Sequence, residues 1–394
     1  MLLDFSIYMP TYISLTWAFI LMLSSRKNKA KYMLGFFMLA VFMVFISVVV
    51  YFNHLKNSLL PFDLLFVFGS LSIFPLYYLY IKLLTVKSEI DYSDLKHFIP
   101  AGAMLLAVAV VYVIMPPEMR KLYVHNYLYG VGEFKNAPLL IQIQTGLQYM
   151  LQLLYFLQMI FSYFKIKKQV SEYNERIANF YSNIENKTLE WPKIILYTFA
   201  ATSVFTIITS FLGRSFFDKS PALLMVVCAS YGVFLFVLGY LGYLQTHTIK
   251  NLETENIALA ACENTTFSNP VLLAASANKN FKIKLETLFI DEKIYKNPEL
   301  KISDVACTLK SNRSYISAFI NSEYGCSFST YVNKYRMEEA VAVLTDPQNN
   351  NYSLEHIASL VGFGSLHSFI RVFKEIKGTT PGKFREEYFV TQME

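Results

Sequence analysis

Charge and cysteine are both scarce in this chain of 394 residues. Asp, Glu, Lys and Arg together make up 16% of it, and its four cysteines lie far apart, without a CxxC pair or a histidine at metal-ligand spacing. That spacing argues against a disulfide framework and against a zinc site. We therefore expect the cysteines to be small buried apolar residues. They are Cys228, Cys262, Cys307 and Cys326.

Signs of catalysis are also missing. The apolar stretches contain no HExxH motif and no pair of carboxylates, and their few ionisable residues, such as Asp63, Lys82 and His97, fall near the ends of those stretches. A proton-coupled pump would need a chain of such groups across the bilayer. The sequence therefore predicts no enzyme, no metal and no cofactor.

Apolar side chains are abundant, at 54% of the residues, but unevenly placed. Residues 1–244 are a succession of apolar stretches, whereas residues 245–394 have the polarity of a water-soluble domain. A helix needs about 20 mostly apolar residues to cross the hydrocarbon core of a membrane. We predict an all-α fold with seven transmembrane helices, over residues 5–24, 32–52, 62–84, 97–115, 139–164, 193–213 and 221–244.

The orientation of the first stretch sets the topology. Residues 1–4 hold no Lys or Arg, and the basic cluster RKNKAK follows the apolar run. This order is typical of an anchor with its N-terminus outside, rather than of a cleaved signal peptide. The loops that would then face the cytoplasm hold thirteen Lys and Arg, against six on the opposite side. We expect a bacterial inner-membrane protein with residues 245–394 in the cytoplasm.

Polar residues recur every four positions in two of the predicted spans. Residues four apart share one helix face, and in lipid an uncharged polar face turns toward the interior of the bundle. One interpretation is hydrogen bonding that joins the two helices; the other is a pocket for a polar ligand. The residues are Gln144, Gln148 and Gln152 in the fifth span and Thr198, Thr202 and Thr206 in the sixth.

Residues 245–280 connect the two halves. Four of them follow the three- and four-residue spacing of a coiled coil, although two heptads are few for one. They indicate either a helix that pairs two copies of the chain or an amphipathic helix on the membrane surface. The four are Ile249, Leu252, Asn256 and Leu259.

Bulk charge gives no support to nucleic-acid binding by the soluble half. Residues 245–394 hold 16 Lys and Arg beside 17 Asp and Glu, whereas residues 1–244 hold 19 beside 12. The surplus that makes the net charge +6 therefore belongs to the apolar half. Any DNA contact has to rest on the placement of individual residues.

Two stretches of the soluble half share one plan. In the first, we expect Ser303 to cap a short helix, followed by a polar turn and a second helix that ends at Gly325. In the later stretch, Ser353 caps a short helix, Gly362 makes the turn and Ser365 opens the second helix. This is helix-turn-helix spacing, found twice, about 50 residues apart.

The segment from about Ile283 to Tyr388 resembles the DNA-binding module of AraC-type transcriptional regulators. The motifs that carry the resemblance include ISDVA, SLEHIASLVGF, FIRVFKEIKG and TPGKFR. The resemblance implies two helix-turn-helix units joined by a long helix over about residues 327–344, each with a recognition helix in the major groove. It also implies double-stranded DNA as a partner and RNA polymerase as a candidate partner.

Exposed positions on the two recognition helices are where that family contacts DNA. An arginine there can bond guanine O6 and N7 together, which is worth roughly 1–3 kcal/mol of discrimination. Ala318 stands where many members carry a long polar side chain, so a single module should bind weakly and a homodimer is expected. The matching positions are Asn312, Arg313, Ser314, Ser317, Leu366, His367 and Arg371, with Lys374 either as a phosphate contact or as part of the solvated face.

Together these features predict a one-component transcription regulator held in membrane lipid. Residues 1–244 form its sensor or anchor, residues 245–280 the connection and residues 281–394 the DNA-binding domain. A signal ligand or a partner protein at the bundle would shift the seventh helix and reorient the paired modules. Two alternatives stay open: a transporter with a DNA-binding reporter tail, and an anchored regulator that senses through a partner protein.

Overall fold

A computed structural model describes residues 2–24, 28–55, 58–86, 90–128, 137–184, 204, 216–217, 220–244 and 275–391. The chain divides into two compact units, one of residues 1–171 with 190–251 and the other of residues 172–189 with 252–394. Within the described ranges every regular element is helical, beside one isolated antiparallel bridge between Tyr181 and Lys301. The all-α prediction is confirmed for these ranges.

The first unit contains helices α1 to α7, of which α6 continues into the second unit. A 3-10 turn, Tyr92–Phe98, precedes α4, and a π turn, Tyr123–Leu128, follows α5. The helices are α1 Leu2–Ser24, α2 Lys29–Phe52, α3 Leu59–Thr85, α4 Ile99–Ile114, α5 Pro117–Leu122, α6 Leu139–Phe180 and α7 Pro221–Leu244.

Five helical segments among the described residues are long and apolar enough to cross a membrane, and they coincide with five of the seven predicted spans. The fifth predicted span, 139–164, is helical as part of α6, but α6 is not among the five. The sixth, 193–213, lies outside the described residues except for Val204. The five are Phe5–Ser24, Lys29–Phe52, Leu59–Thr85, Tyr92–Ile114 and Pro221–Leu244.

Close packing of α2 against α3 organises the first unit. Gly69 of α3 faces the backbone of α2, since a Cβ there would lie 2.8 Å from the carbonyl oxygen of Ala40. A small residue lets two helices approach closely, so that their atoms gain van der Waals contacts along the crossing. Val67 and Leu71 of α3 are buried in one cluster with Met104 of α4. Helix α3 therefore packs against α2 through its glycine and against α4 through its apolar side chains.

The second unit contains α8 to α14 and the end of α6. Helix α11 lies between two helix-turn-helix pairs, α9 with α10 and α12 with α13, and it is the predicted long joining helix. The helices are α8 Ala275–Ile290, α9 Ile302–Thr308, α10 Arg313–Tyr324, α11 Phe328–Thr345, α12 Leu354–Leu360, α13 Leu366–Lys377 and α14 Pro381–Thr391.

Helix caps agree with the sequence at α12 and α13 and differ at α9. The side chains of Ser353 and Ser365 each accept a hydrogen bond from the N–H three residues ahead, both at 3.1 Å. At α9 the prediction was wrong, because Ser303 lies inside the helix and is buried. The cap position is Lys301, whose N–H donates to the Asp304 carboxylate at 2.8 Å. An acid in the first turn thus places the start of α9 before the serine.

The described cysteines are free, and they differ in exposure. Cys228 is buried and Cys326 is partly buried, whereas Cys307 on α9 is exposed, so the expectation of burial was wrong for Cys307. Cys262 lies outside the described residues. Within the described ranges no group of three or more His, Cys, Asp or Glu could hold a metal ion.

Residues 172–184, here called the α6 extension, come from the first half of the sequence but pack into the second unit. The N–H of Ser182 donates to the carbonyl of Leu300 at 3.0 Å, and its carbonyl accepts from the hydroxyl of Ser329 at 3.1 Å. Tyr181 beside it is 1% exposed. The boundaries expected from the sequence left this segment in the first domain, whereas the second unit is assembled from two separate parts of the chain.

The side chain of Arg336 joins the α6 extension to α11. It is 1% exposed. Its Nε donates to the carbonyl of Tyr295 at 2.7 Å, and its Nη2 donates to the carbonyl of Asn297 at 2.8 Å and to the hydroxyl of Ser182 at 3.2 Å. Burial lowers the pKa of the guanidinium to about 10, which leaves it charged at neutral pH. One cation therefore satisfies acceptors from two distant segments.

We expect Arg336→Met to destabilise the second unit by about 2–4 kcal/mol, because one buried and one partly buried carbonyl lose their donors and an unpaired buried group costs about 1–3 kcal/mol. Hydrogen exchange of the full-length protein, followed by mass spectrometry, should accelerate in residues 294–300 and 328–337. The matched control is Lys334→Met, which removes an exposed charge from the same helix and should leave exchange unchanged. Equal exchange in the two variants would contradict the role given to Arg336.

Candidate nucleic-acid interface and buried polar cluster

The second helix-turn-helix pair depends on a glycine turn. Gly362 has a φ of +93°, and a Cβ there would lie 2.4 Å from the carbonyl oxygen of Tyr295. Glycine alone takes this conformation without strain and leaves room for the neighbouring backbone. The next residue, Phe363, is 5% exposed and packs against Phe369 of α13, with ring centroids 5.5 Å apart. The turn thereby sets the direction in which α13 leaves the core.

Helix α13 presents a polar face to solvent. Phe369 and Phe373 are buried in the core, whereas His367, Arg371 and Lys374 are exposed. Their spacing of four and three residues places these side chains on one face. In the described part of the chain Arg371 forms no ion pair or hydrogen bond through its side chain, so its N–H donors are available to a ligand.

The other predicted DNA contacts differ in their exposure and in their contacts within the protein. Ser314 is exposed and Ser317, one turn later on α10, is partly buried. Asn312 caps α10, since its Oδ1 accepts from the N–H of Tyr315 at 2.7 Å. Leu366 of α13 packs against the core. Asn312 and Leu366 thus have structural roles. The two serines are uncharged, so they add no positive charge to the surface of α10.

Arg313, at the start of α10, meets the α6 extension. Its guanidinium carbon lies 5.9 Å from the centroid of the Phe180 ring, within cation–π range. Sequence reasoning missed this partner because the residues after position 164 were treated as a loop. The signal that could have found it was the spacing of Tyr173, Ile177 and Phe180, all buried, which continues helical periodicity beyond the predicted span.

A carboxylate neutralises part of the positive charge of the second unit. Glu339 of α11 binds Lys293 at 3.0 Å and Lys296 at 2.8 Å, and it accepts from the hydroxyl of Tyr295 at 3.1 Å. Burial alone would raise the pKa of this carboxyl, but the hydrogen bonds from the two lysines and the tyrosine outweigh it and lower the pKa to about 2. These lysines are therefore committed within the protein, in contrast to Arg371.

A buried polar cluster lies in the first unit. Tyr112 of α4 donates to one carboxylate oxygen of Asp63 of α3 at 2.7 Å, and Gln148 of α6 donates to the same oxygen at 3.1 Å. Asp63 is 2% exposed, and Gln144, one turn before Gln148, is fully buried. Neither amide atom of Gln144 has a hydrogen-bond partner among the described residues. An unsatisfied buried amide costs free energy, which marks this cluster as a candidate ligand site.

The cluster contains only some of the residues predicted for a pocket. Gln144 and Gln148 belong to it, and Gln152 on the next turn is partly buried. Asp63 and Tyr112 were missed, because a single residue near the end of a span has no periodic neighbours that would mark it. The three predicted threonines, Thr198, Thr202 and Thr206, lie outside the described residues.

Comparison with known proteins finds similarity in the second unit. A family model described as a helix-turn-helix domain matches residues 305–387. The probable transcription factor PqrA of Proteus vulgaris is 32% identical over 98 residues, which cover 25% of this chain and 78% of that protein. The uncharacterized HTH-type transcriptional regulators YtdP and YfiF of Bacillus subtilis are each 34% identical, over 23% and 24% of this chain, but these matches cover 11% and 29% of their own lengths.

We expect Arg371→Ala to weaken binding of the full-length protein to its preferred DNA sequence by roughly 5- to 150-fold, as the loss of a bidentate base contact should. Binding to unrelated DNA should change little. Lys374→Ala, in contrast, should weaken binding to both and reduce the salt dependence by about one counterion. Fluorescence anisotropy at several salt concentrations, on DNA selected from a random pool, measures all four affinities.

Lys383→Ala supplies the control, because Lys383 is an exposed lysine of α14 that lies 3.5 Å from Glu387. It should leave both affinities unchanged. If Arg371→Ala weakened binding to preferred and unrelated DNA by the same factor, Arg371 would be a phosphate contact and the assignment to bases would be wrong.

Proposed function

The chain belongs to the AraC-type transcriptional regulators through its carboxyl-terminal helix-turn-helix domain, and from this premise we propose that it is a membrane-embedded regulator whose DNA binding responds to a signal at its first unit. One observation carries the proposal. The same chain combines five helices apolar enough to span a bilayer with a helix-turn-helix domain. Since bacterial DNA is cytoplasmic, the second unit would lie in the cytoplasm and the N-terminus outside.

The surface of the first unit supports a lipid environment. Leu23, Leu106, Val113 and Leu139, on α1, α4 and α6, are each between 66% and 76% exposed. A soluble monomer rarely exposes large contiguous apolar patches, whereas the hydrocarbon core of a bilayer would cover such side chains. The exposed apolar side chains therefore support a lipid environment around the first unit.

The buried polar cluster is the proposed signal site. A polar ligand there would satisfy the amide of Gln144 and compete with Tyr112 and Gln148 for the carboxylate of Asp63. A ligand can change a conformational equilibrium only by binding one state more tightly than the other. Breaking and forming hydrogen bonds to a buried carboxylate supplies such a difference, because charge-assisted hydrogen bonds are the stronger ones.

Helix α6 is the proposed route from this site to DNA. The same helix carries Gln144 and Gln148 in one part and, at its end, Phe180, which contacts Arg313 of α10. A change in the position of the α6 extension would alter the surroundings of the first recognition helix. The connection was predicted over residues 245–280. Its part up to residue 274 lies outside the described residues, and residues 275–280 belong to α8. Pairing of two copies through that segment and contact with RNA polymerase remain part of the proposal.

We expect genome-wide mapping of DNA bound by the full-length protein to show discrete promoter sites that are lost in Arg371→Ala. Asp63→Asn should change how this occupancy, and the transcription of the same genes, respond to growth conditions, because it weakens the hydrogen bonds of the signal site. Glu118→Gln, which alters a largely exposed carboxylate of α5, should behave like the unaltered protein.

Three outcomes would contradict parts of this proposal. Occupancy unchanged in Arg371→Ala would remove DNA reading by α13. A transcriptional response that is unchanged in both Asp63→Asn and Gln148→Leu would assign sensing to a partner protein. Solute uptake that depends on the chain would favour a transporter with a reporter tail.

A further inference from the structure

A second polar site lies in the first unit, apart from the Asp63 cluster. A cavity of about 180 Å³ lies between α3, the turn before α4, and α6. Three basic residues line it, Lys96, His97 and Lys165, together with the polar side chains of Gln158 and Ser162. Within the described residues no carboxylate lines this cavity, so its polar lining is cationic and neutral.

No carboxylate of the described residues forms an ion pair with the two lysines of this cavity. The ammonium of Lys165 lies 5.0 Å from the ring centroid of Tyr78 and 4.5 Å from that of Phe161, and it forms no ion pair in the described part of the chain. The nearby carboxylate of Asp94 is occupied, since both of its oxygens accept from Lys82 at 2.7 Å. Aromatic rings hold Lys165 in place and leave its N–H donors available to an anion.

An apolar groove continues from the cavity along α6. Its volume is about 590 Å³, and it shares Phe161 and Lys165 with the cationic cavity. The groove is also lined by Leu157, Ile160 and Phe164, which are 52%, 37% and 65% exposed, and by Lys168 at its end. A charged cavity joined to an exposed apolar groove fits a molecule that has an anionic head and a hydrocarbon chain.

We propose that this site binds an anionic membrane lipid, with the headgroup phosphate between Lys96 and Lys165 and an acyl chain along the groove of α6. The proposal rests on the membrane location proposed above. Lysines bind phosphate as point charges, and basic pockets between transmembrane helices on the cytoplasmic side recognise lipid headgroups. Lys96 and Lys165 both belong to the loops and flanks that the charge distribution assigns to the cytoplasm.

The lining also discriminates among phosphate-bearing lipids. A choline headgroup would bring a quaternary ammonium next to Lys96 and Lys165, which repel it. A glycerol headgroup instead offers hydroxyls, and Gln158 has a buried amide oxygen without a hydrogen-bond partner among the described residues. Phosphatidylglycerol should therefore bind in preference to phosphatidylcholine.

The test is native mass spectrometry of the full-length protein in detergent, with phosphatidylglycerol and phosphatidylcholine of identical acyl chains supplied in equal amounts. We expect the unaltered protein to retain phosphatidylglycerol at least tenfold more than phosphatidylcholine. The double variant Lys96→Ala with Lys165→Ala should lose this preference to within twofold. Lys167→Ala, the matched control, removes an exposed lysine from the same helix outside both cavities and should keep it.

Two more arms distinguish a bound lipid from a bound soluble phosphate. Ser162→Leu fills the cavity without changing its charge, so it should also lose the preference if the headgroup enters there. Glycerol 3-phosphate should not displace phosphatidylglycerol; displacement would show a site for soluble phosphate and overturn the lipid proposal. Equal retention by the double variant and by Lys167→Ala would overturn it as well.

A separate measurement distinguishes failure of this inference from failure of the membrane location. Extraction of cell membranes with alkaline carbonate should leave the full-length protein in the pellet. Release into the supernatant would refute the proposed function and the lipid site together. A protein that stays in the pellet but shows no preference for phosphatidylglycerol would refute the lipid site alone.

Discussion

The hydrogen bonds of the buried Arg336 guanidinium are the constraint on which the second unit depends. A charge removed from water is tolerated only where its donors are satisfied, and here they reach carbonyls of residues 295 and 297 and the hydroxyl of Ser182. Arg336 lies on α11, the helix between the two helix-turn-helix pairs, so its hydrogen bonds hold that helix against residues 295–297 and the α6 extension. The turn at Gly362 also lies against the carbonyl of Tyr295. The second helix-turn-helix pair therefore packs against the same segment, residues 295–297, that Arg336 binds.

The two units handle polarity in opposite ways. In the described part of the second unit, Arg336 is the one charged residue that is buried, and the core is otherwise mostly apolar, as is usual in water. In the first unit large apolar side chains lie on the surface, while Asp63 and Gln144 are buried. Two polar sites of the first unit therefore lie among apolar helices: the buried polar cluster and the cationic cavity. Helices α3, α4 and α6 contribute residues to both sites.

Much of the second unit could be predicted from the sequence, because its signals are local. Ser353 and Ser365 each precede an apolar helical pattern, which identifies the caps of α12 and α13. Gly362 lies between two such patterns, which identifies the turn. The cap at α9 was misplaced because Asp304 competes with Ser303 for the start of the helix. No local sequence pattern predicts the hydrogen bond between Arg336 and Ser182 or the one between Gln148 and Asp63. Those hydrogen bonds join positions 154 and 85 residues apart, and single-sequence periodicity carries no information on such distances.

The α6 extension has a consequence for biogenesis. Ser182 is synthesised 154 residues before Arg336. The α6 extension therefore lacks this hydrogen-bond partner until residue 336 has been added to the chain. This hydrogen bond can therefore form only after residue 336 has been synthesised. A chain that ends before position 336 would contain the first helix-turn-helix pair but lack the guanidinium that joins the α6 extension to α11.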